Sequence, residues 1–305
     1  MQRQRLFKRV TAKVMLLAVT VSAFSSMSFS QTPFEDAVKQ LNSDLVKGYL
    51  QPFINSASAN INAGHYSTAQ IADMGFTLRL QVVGSGTIIG DAEKTYTATP
   101  PEPFTQNPVE TATVFGEQGA SVSHPAGMTY YFQNGQIKAS IFPSVVPQLT
   151  VGNLFGTQAV VRYASIPEFH DFPRSTLFGI GAQHSISRYL PDVPVDLAVG
   201  IYYNNFSVGD FIESRAMCYG AHVSKSFSIV TAYGGLQYQT ASMDVNYTYT
   251  GQGSTPNSTI SLQLESEVNV VATIGLDFNL GILHINGDAN FGKVTALSGG
   301  IGFGI

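Results

Sequence analysis

Tryptophan is absent from the sequence, and cysteine occurs once, as Cys218. A single cysteine excludes an internal disulfide framework, and its place inside an alternating pattern makes it a small packing residue rather than a nucleophile. Charge is sparse as well: Asp, Glu, Lys and Arg make up 12% of the chain, about half the share usual in soluble domains. Past residue 30 there is no run of roughly 18 apolar residues, so no helical membrane span is expected. Metal-site and catalytic signatures are missing too. The histidines at 65, 124, 170, 184, 222 and 284 stand alone, with no His-x-x-x-His or Cys-x-x-Cys pair,. No Gly-x-Ser-x-Gly elbow is present, and His184 and Ser185, adjacent in a strand, point to opposite faces and cannot pair. Asn286, Asp288 and Asn290 lack the spacing and terminal Glu of a calcium loop. No enzyme, cofactor or metal is expected.

The chain opens with an export signal: a basic stretch (Arg3, Arg5, Lys8, Arg9, Lys13), an apolar core from Val14 to Phe24, and the small-x-small site Ser28-Phe29-Ser30 before Gln31,. The signal holds five of the sixteen basic residues and no acidic one. The rest of the chain thus carries 11 Lys and Arg against 20 Asp and Glu, a formal charge of −9. That balance argues against nucleic acid as a partner.

What the chain has in quantity is alternation. From Leu262 to Gly281 every even position except Ser266 is apolar, whereas the odd positions include Gln263, Glu265, Glu267, Asn269 and Asp277. A period of two over such a length predicts one long strand, longer than the roughly 5–6 residues of a soluble strand and long enough to cross a bilayer at a tilt. Leu264, Val268, Val270, Ile274 and Phe278 are expected toward lipid, with Glu265, Glu267 and Asp277 toward a lumen.

Similar strands begin after residue 73 and come in quick succession from Val145 to the end. The count is about ten, with short connections near 153–156, 190–193, 224–227 and 279–282 and longer ones at 90–143, 166–173 and 250–258. Short turns on one side and longer loops on the other are the habit of membrane barrels. Within 90–143, Asn134-Gly135 between Tyr130-Tyr131-Phe132 and Ile137-Lys138-Ala139 predicts a small hairpin. Residues 33–60 read as helix, with an apolar stripe of Phe34, Val38, Leu41, Leu45 and Tyr49 and a break near Gly48 and Pro52,. That helix either packs on the barrel base or plugs the lumen. The fold expected is all-β: an antiparallel up-and-down transmembrane β-barrel of about ten strands with an N-terminal helical segment. Its divisions are a signal peptide at 1–30, the helical segment at 31–72 and the barrel at 73–305.

The motifs Leu50-Gln51-Pro52-Phe53, Gly64-His65-Tyr66-Ser67-Thr68-Ala69, Gln148-Leu149-Thr150-Val151-Gly152 and Gly179 through Pro191 add a resemblance. Through most of the chain after the signal, the sequence resembles an uncharacterised domain-of-unknown-function family of exported bacterial proteins. The resemblance implies an outer-membrane barrel and assigns no activity. Its architecture also looks like that of the outer-membrane long-chain fatty-acid transporters, which place a helical segment before the barrel; that likeness transfers no ligand residues.

The residues expected to line the lumen are Arg79, Gln81, Arg162, Gln183, Asp196, Asn204, His222, Glu265, Glu267, Asp277, His284 and Asp288. Charges facing a closed lumen need partners or water. They form either a structural network or a constriction that selects solutes. Closure of the barrel would bring Arg79 within reach of carboxylates from the final hairpins. Aromatic residues near strand ends, among them Tyr189, Tyr202, Tyr203, Phe206, Tyr219, Phe227, Tyr238, Tyr247, Tyr249, Phe278 and Phe291, are expected to form interfacial girdles. The functions consistent with all this are passage or binding of a small or lipidic molecule in the bacterial outer membrane, with membrane lipid as partner, or a purely structural surface barrel. A soluble exported β-protein that binds a ligand or carbohydrate is the alternative.

Overall fold

The computed structural model describes residues 37–105, 107–168, 173–190, 192–249 and 259–305. The export signal, the helical residues expected before Ala37 and the loop expected at 250–258 lie outside the described residues. The wall is built from β1 (Met74–Ile88), β6 (Ile141–Leu154), β7 (Thr157–Ile166), β8 (Ser175–Ser185), β9 (Asp196–Val208), β10 (Ile212–Phe227), β11 (Val230–Thr248), β12 (Thr259–Glu265), β13 (Val270–Leu280), β14 (Leu283–Phe291) and β15 (Thr295–Gly304). Between β1 and β6 lie β2 (Thr95–Ala98), β3 (Val109–Ala112), β4 (Ser121–Ser123) and β5 (Thr129–Tyr131). Every pairing in the wall is antiparallel, and β1 joins β15 from Arg79 opposite Gly304 to Thr87 opposite Ala296, which closes a ten-stranded barrel. The extra strand, β12, sits above β13 on the same partner, β11. One end of the barrel carries the connections 155–156, 186–195, 228–229 and 281–282; the other carries 89–140. We call these the turn end and the loop end.

The long strand expected at 262–281 is broken. Glu265 pairs with Ser242, and Val270 pairs with Tyr238, so four residues (266–269) oppose three (239–241). This is a β-bulge, and with a period of two an extra residue moves every side chain beyond it to the other face. Leu264 is therefore 3% exposed and faces inward, and Val268 is buried, whereas Val270 and Ile274 are each 64% exposed on the outer wall. The expectation that Leu264 and Val268 face lipid is corrected. So is the placing of Glu265 and Glu267 in the lumen: Glu265 is exposed, and Glu267 pairs with Lys293 outside.

The bulge belongs to a wider change in the wall. On the turn-end part of β11, Leu236 and Tyr238 point out while Thr231 and Gln237 point in. On the loop-end part, Thr240 and Asn246 point out while Met243, Val245 and Tyr247 are buried inside. β11 makes the change without a bulge, because the sequence itself shifts phase through the consecutive polar residues Gln239 and Thr240. On β10, Glu213 and Arg215 point out above Met217, Tyr219, Ala221 and Val223, and Arg215 pairs with Glu213 and with Asp244 of β11. Such a charged group belongs in water, so it marks where the wall leaves the bilayer. From Arg215 to Lys225 at about 3.4 Å per residue and ~45° tilt the rise is about 24 Å, close to the roughly 25 Å of a barrel's apolar band. Phe76, Phe155, Tyr189, Phe227 and Phe303 are exposed near the turn end, and Tyr163 opposes Phe178 toward the other edge. Of the aromatics expected in girdles, Tyr189, Tyr219, Phe227, Tyr238, Phe278 and Phe291 are exposed, but Tyr202 and Tyr247 are buried inside the barrel, and Phe206 and Tyr249 pack against the inner core.

Helix α1 (Ser43–Ile61) runs inside the barrel. Asn42 caps it, its side chain accepting from Leu45 N at 3.0 Å, and the helix continues through Pro52 rather than breaking there,. Its loop-end half packs Leu45, Val46, Tyr49, Leu50 and Phe53 against Met243, Val245 and Leu264 of the wall. Val114, Phe115, Phe132 and Ile137 of the long loop close over the same cluster. The hairpin expected at Asn134-Gly135 is absent. β4 pairs with β5 around a turn at 124–128, and Gly135 N donates to Glu117 O instead. Asn134 serves the cap, its main-chain oxygen accepting from Tyr49 Oη at 2.9 Å.

Candidate functional site: the plugged lumen

Below α1 the chain continues through the lumen from Asn62 to Ile71 and leaves at the turn end to begin β1. Gly64 makes the bend with φ +66, and a Cβ there would lie 2.6 Å from Val83 Cγ1, so both backbone and space demand glycine,. Where the helix ends, its last carbonyls lack intrahelical partners. Arg162 of β7 supplies them: Nη1 donates to Ile61 O at 2.9 Å, Nη2 to Ala63 O at 2.8 Å, and Nε to Gln148 Oε1 at 2.7 Å. The guanidinium thus sits at the negative end of the helix dipole and is 1% exposed,.

Two ring stacks lie just beneath. His65 lies on Tyr202 with centroids 4.2 Å apart, and Tyr66 on His222 at 4.0 Å. Asn204 donates to Asn62 Oδ1 at 3.1 Å and contacts His65 Nε2 at 3.3 Å. A ladder of polar side chains then crosses half of the wall. His222 meets Gln183 at 3.0 Å, Gln183 donates to Gln158 at 2.8 Å, Gln158 to Asn153 at 2.8 Å, and Asn153 to Thr77 at 2.7 Å. The other half is organised on Asp288, whose carboxylate accepts from Tyr233 at 2.9 Å and also from Asn290 and Ser298. Thr273 links Asn290 to Gln237. Cys218 is buried and donates to Gln237, as suits a packing residue.

Nearest the turn end, Arg79 donates to Ser67 Oγ at 3.2 Å. On the inward face of β15 the glycines leave room for the side of β1: Arg79 lies against Gly304, and Gln81 lies over Gly302 and Gly300. Asp277 Oδ1, Arg79 Nε and His284 Nδ1 are buried with no partner. Asp196 lies half-exposed at the rim, opposite Ser224.

Of the residues expected in the lumen, Arg79, Gln81, Arg162, Gln183, Asn204, His222, Asp277, His284 and Asp288 face it, and Glu265 and Glu267 do not. The plug residues Asn62, His65, Tyr66, Ser67 and Thr68 were not among those expected. The polar run Gly64 to Thr68 between helix and first strand was their signal. Around the middle of the lumen Asn62, Val83, Arg162, Tyr202, Asn204, Cys218 and Gln239 are each no more than 2% exposed, so the passage is shut at that level. Among the described residues no group of three or more His, Cys, Asp or Glu gathers as metal ligands, and no helix is long and apolar enough to cross a membrane.

No curated protein matches the chain by sequence. Among solved structures it is similar to the translocator domain of the autotransporter NalP from Neisseria meningitidis, at 12% identity over 86% of this chain and 96% of that one, with a TM-score of 0.31. It is also similar to the Ralstonia pickettii toluene transporter TbuX, at 9% identity over 78% and 91%, TM-score 0.25. A mutant porin of Rhodopseudomonas blastica follows, at 11% over 75% and 100%, TM-score 0.13. By sequence, a model for a family of unknown function (DUF6588) matches residues 8–305, and the chain belongs to that family.

Proposed function

We propose that this protein is an outer-membrane barrel, exported by a signal removed near Ser30, that passes a small polar solute when the lower part of its plug moves aside. The observation that carries the reading is the unlike attachment of the two halves of the plug. Leu41, Leu45, Val46, Tyr49, Leu50, Phe53 and Ile54 are buried against wall and cap, and at about 1.5–3 kcal/mol each they anchor the loop-end half. From Asn62 to Ala69 the contacts are hydrogen bonds and ring stacks, and water can replace hydrogen bonds at a net cost of only about 0.5–1.5 kcal/mol each. The lower half is therefore the part able to shift. A lipidic solute fits less well, because α1 fills the apolar part of the lumen and the remainder is lined by polar groups. The unpartnered Asp277, Arg79 and His284 atoms would meet the solute first from the turn end.

Planar-bilayer conductance tests the reading. Thr68 Oγ1 and Ser224 Oγ lie 3.3 Å apart, so Thr68→Cys with Ser224→Cys, in a Cys218→Ala background, can tie the lower plug to β10. Brief openings are expected from the reduced protein and none from the oxidised one, and Arg162→Met should open more often. Silence from the reduced form and from Arg162→Met alike would overturn passage and leave a structural barrel.

A further inference from the structure

We infer that the barrel holds its own N-terminal segment across the membrane, so that the loop-end start of the plug, at Ala37 to Leu41, lies on the outer side of the membrane. The wall partners of the plug climb steadily as residue number falls. Ala69 N donates to Ser224 Oγ near the turn end of β10. Tyr66 contacts Gln237, and Asn62 contacts Gln239, one step higher on β11. Asn55 Oδ1 accepts from Glu267 N at 2.9 Å, at the bulge. Leu41 O accepts from Tyr247 Oη at 3.1 Å, beside the loop end of β11. Beyond that point Gln40 accepts from Gln133 of the cap. The segment therefore enters at the loop end and leaves at the turn end, where Met74 begins β1 opposite Leu154.

Which end is outside follows from two further observations. Barrels reach the outer membrane from the periplasm and keep short turns on that side and long loops on the other. The wall above the Glu213, Arg215 and Asp244 group also turns polar outward and apolar inward, as a wall standing in water must, and among the described residues this occurs at the loop end alone. The plug fills the closed mid-lumen, so the wall must close around it during assembly, with the loop-end start of the plug on the outer side.

The test uses the full chain in its outer membrane, with epitope tags at three places: between Thr32 and Pro33, within the turn 124–128, and within the turn 281–282. Antibody is expected to label the first two on intact cells and the third only after permeabilisation. A tag before Pro33 that behaves like the one at 281–282 would overturn the inference, and so would labelling at 281–282 without labelling at 124–128. Heat-dependent gel mobility shows that each tagged chain is folded. Should a tag disturb folding, Gln40→Cys and Asn279→Cys in a Cys218→Ala background answer the same question with a membrane-impermeant maleimide. Modification of Gln40→Cys on intact cells supports the inference, and modification of Asn279→Cys alone contradicts it. Conductance enters none of these readouts, so failure here leaves the passage reading standing.

Discussion

The two halves of this barrel obey the same rule in opposite senses. Toward the turn end, the wall shows Leu236, Tyr238, Val270 and Ile274 outward and Gln237, Thr273 and Asp277 inward. Toward the loop end, it shows Thr240, Asn246, Gln263 and Glu265 outward and Met243, Val245, Leu262 and Leu264 inward. Apolar side chains go wherever water is not. In the membrane half that is the outside, and in the projecting half it is the inside, where α1 supplies an apolar partner. One strand pair makes the reversal by two means: β11 changes the phase of its sequence, and the β12–β13 strand keeps its phase and inserts a residue. The plug is divided at the same boundary, apolar above and polar below.

The comparison can be broken most severely at the bulge. Deleting Asn269 removes the extra residue and turns Gln263 and Glu265 toward α1, with Leu262 and Leu264 into water. The expected outcome is loss of the folded, heat-modifiable band on a gel, since carboxylate and amide groups would be buried without partners. Arginine placed on the outer wall separates the halves next. Ile274→Arg, at the level of lipid, should cost about 2–4 kcal/mol in urea unfolding from vesicles, and Gln263→Arg, above the boundary, less than about 0.5 kcal/mol. Equal costs at the two sites would remove the distinction.

The smallest effect is electrostatic. Hydrogen bonding to the Lys293 ammonium holds the Glu267 carboxyl below the usual glutamate range. Because the folded-state value is the lower one, the pair adds stability above the unfolded value and loses it as pH falls through the folded one. Glu267→Gln should therefore be less stable than the parent at neutral pH by no more than about 0.5 kcal/mol. The gap should close in acid and shrink with added salt, as unfolding midpoints across pH would show.

Much of this was legible in the sequence, because a period of two is a direct image of a two-faced wall. The alternation located the strands, the long-short rhythm of connections pointed to a barrel, and the polar inward face of the last hairpins put Asp277, His284 and Asp288 in the lumen. The bulge was hidden for a physical reason: apart from Ser266 the even-numbered positions stay apolar through and beyond it, so the sequence keeps step while the backbone does not. The helix was found, but the lumen around it was not. Asn55, Ser56, Ser58 and Asn60 are polar and buried, and a polar face packed against a polar wall reads the same as one facing solvent. The Asn134-Gly135 signal was overridden by the cap, where Tyr49 and Gly119 use the hydrogen-bonding groups of Asn134.

The absence of tryptophan from the chain makes the reversal of the wall directly measurable. Single substitutions Leu236→Trp, Tyr238→Trp, Thr240→Trp and Asn246→Trp place one fluorophore at successive heights on the outer face of β11, in vesicles with brominated lipid. Strong quenching by the lipid is expected at 236 and 238, falling away at 240 and absent at 246, where aqueous iodide should quench instead. Uniform lipid quenching from 236 to 246, or none at 236, would contradict a wall that turns inside out where it leaves the membrane.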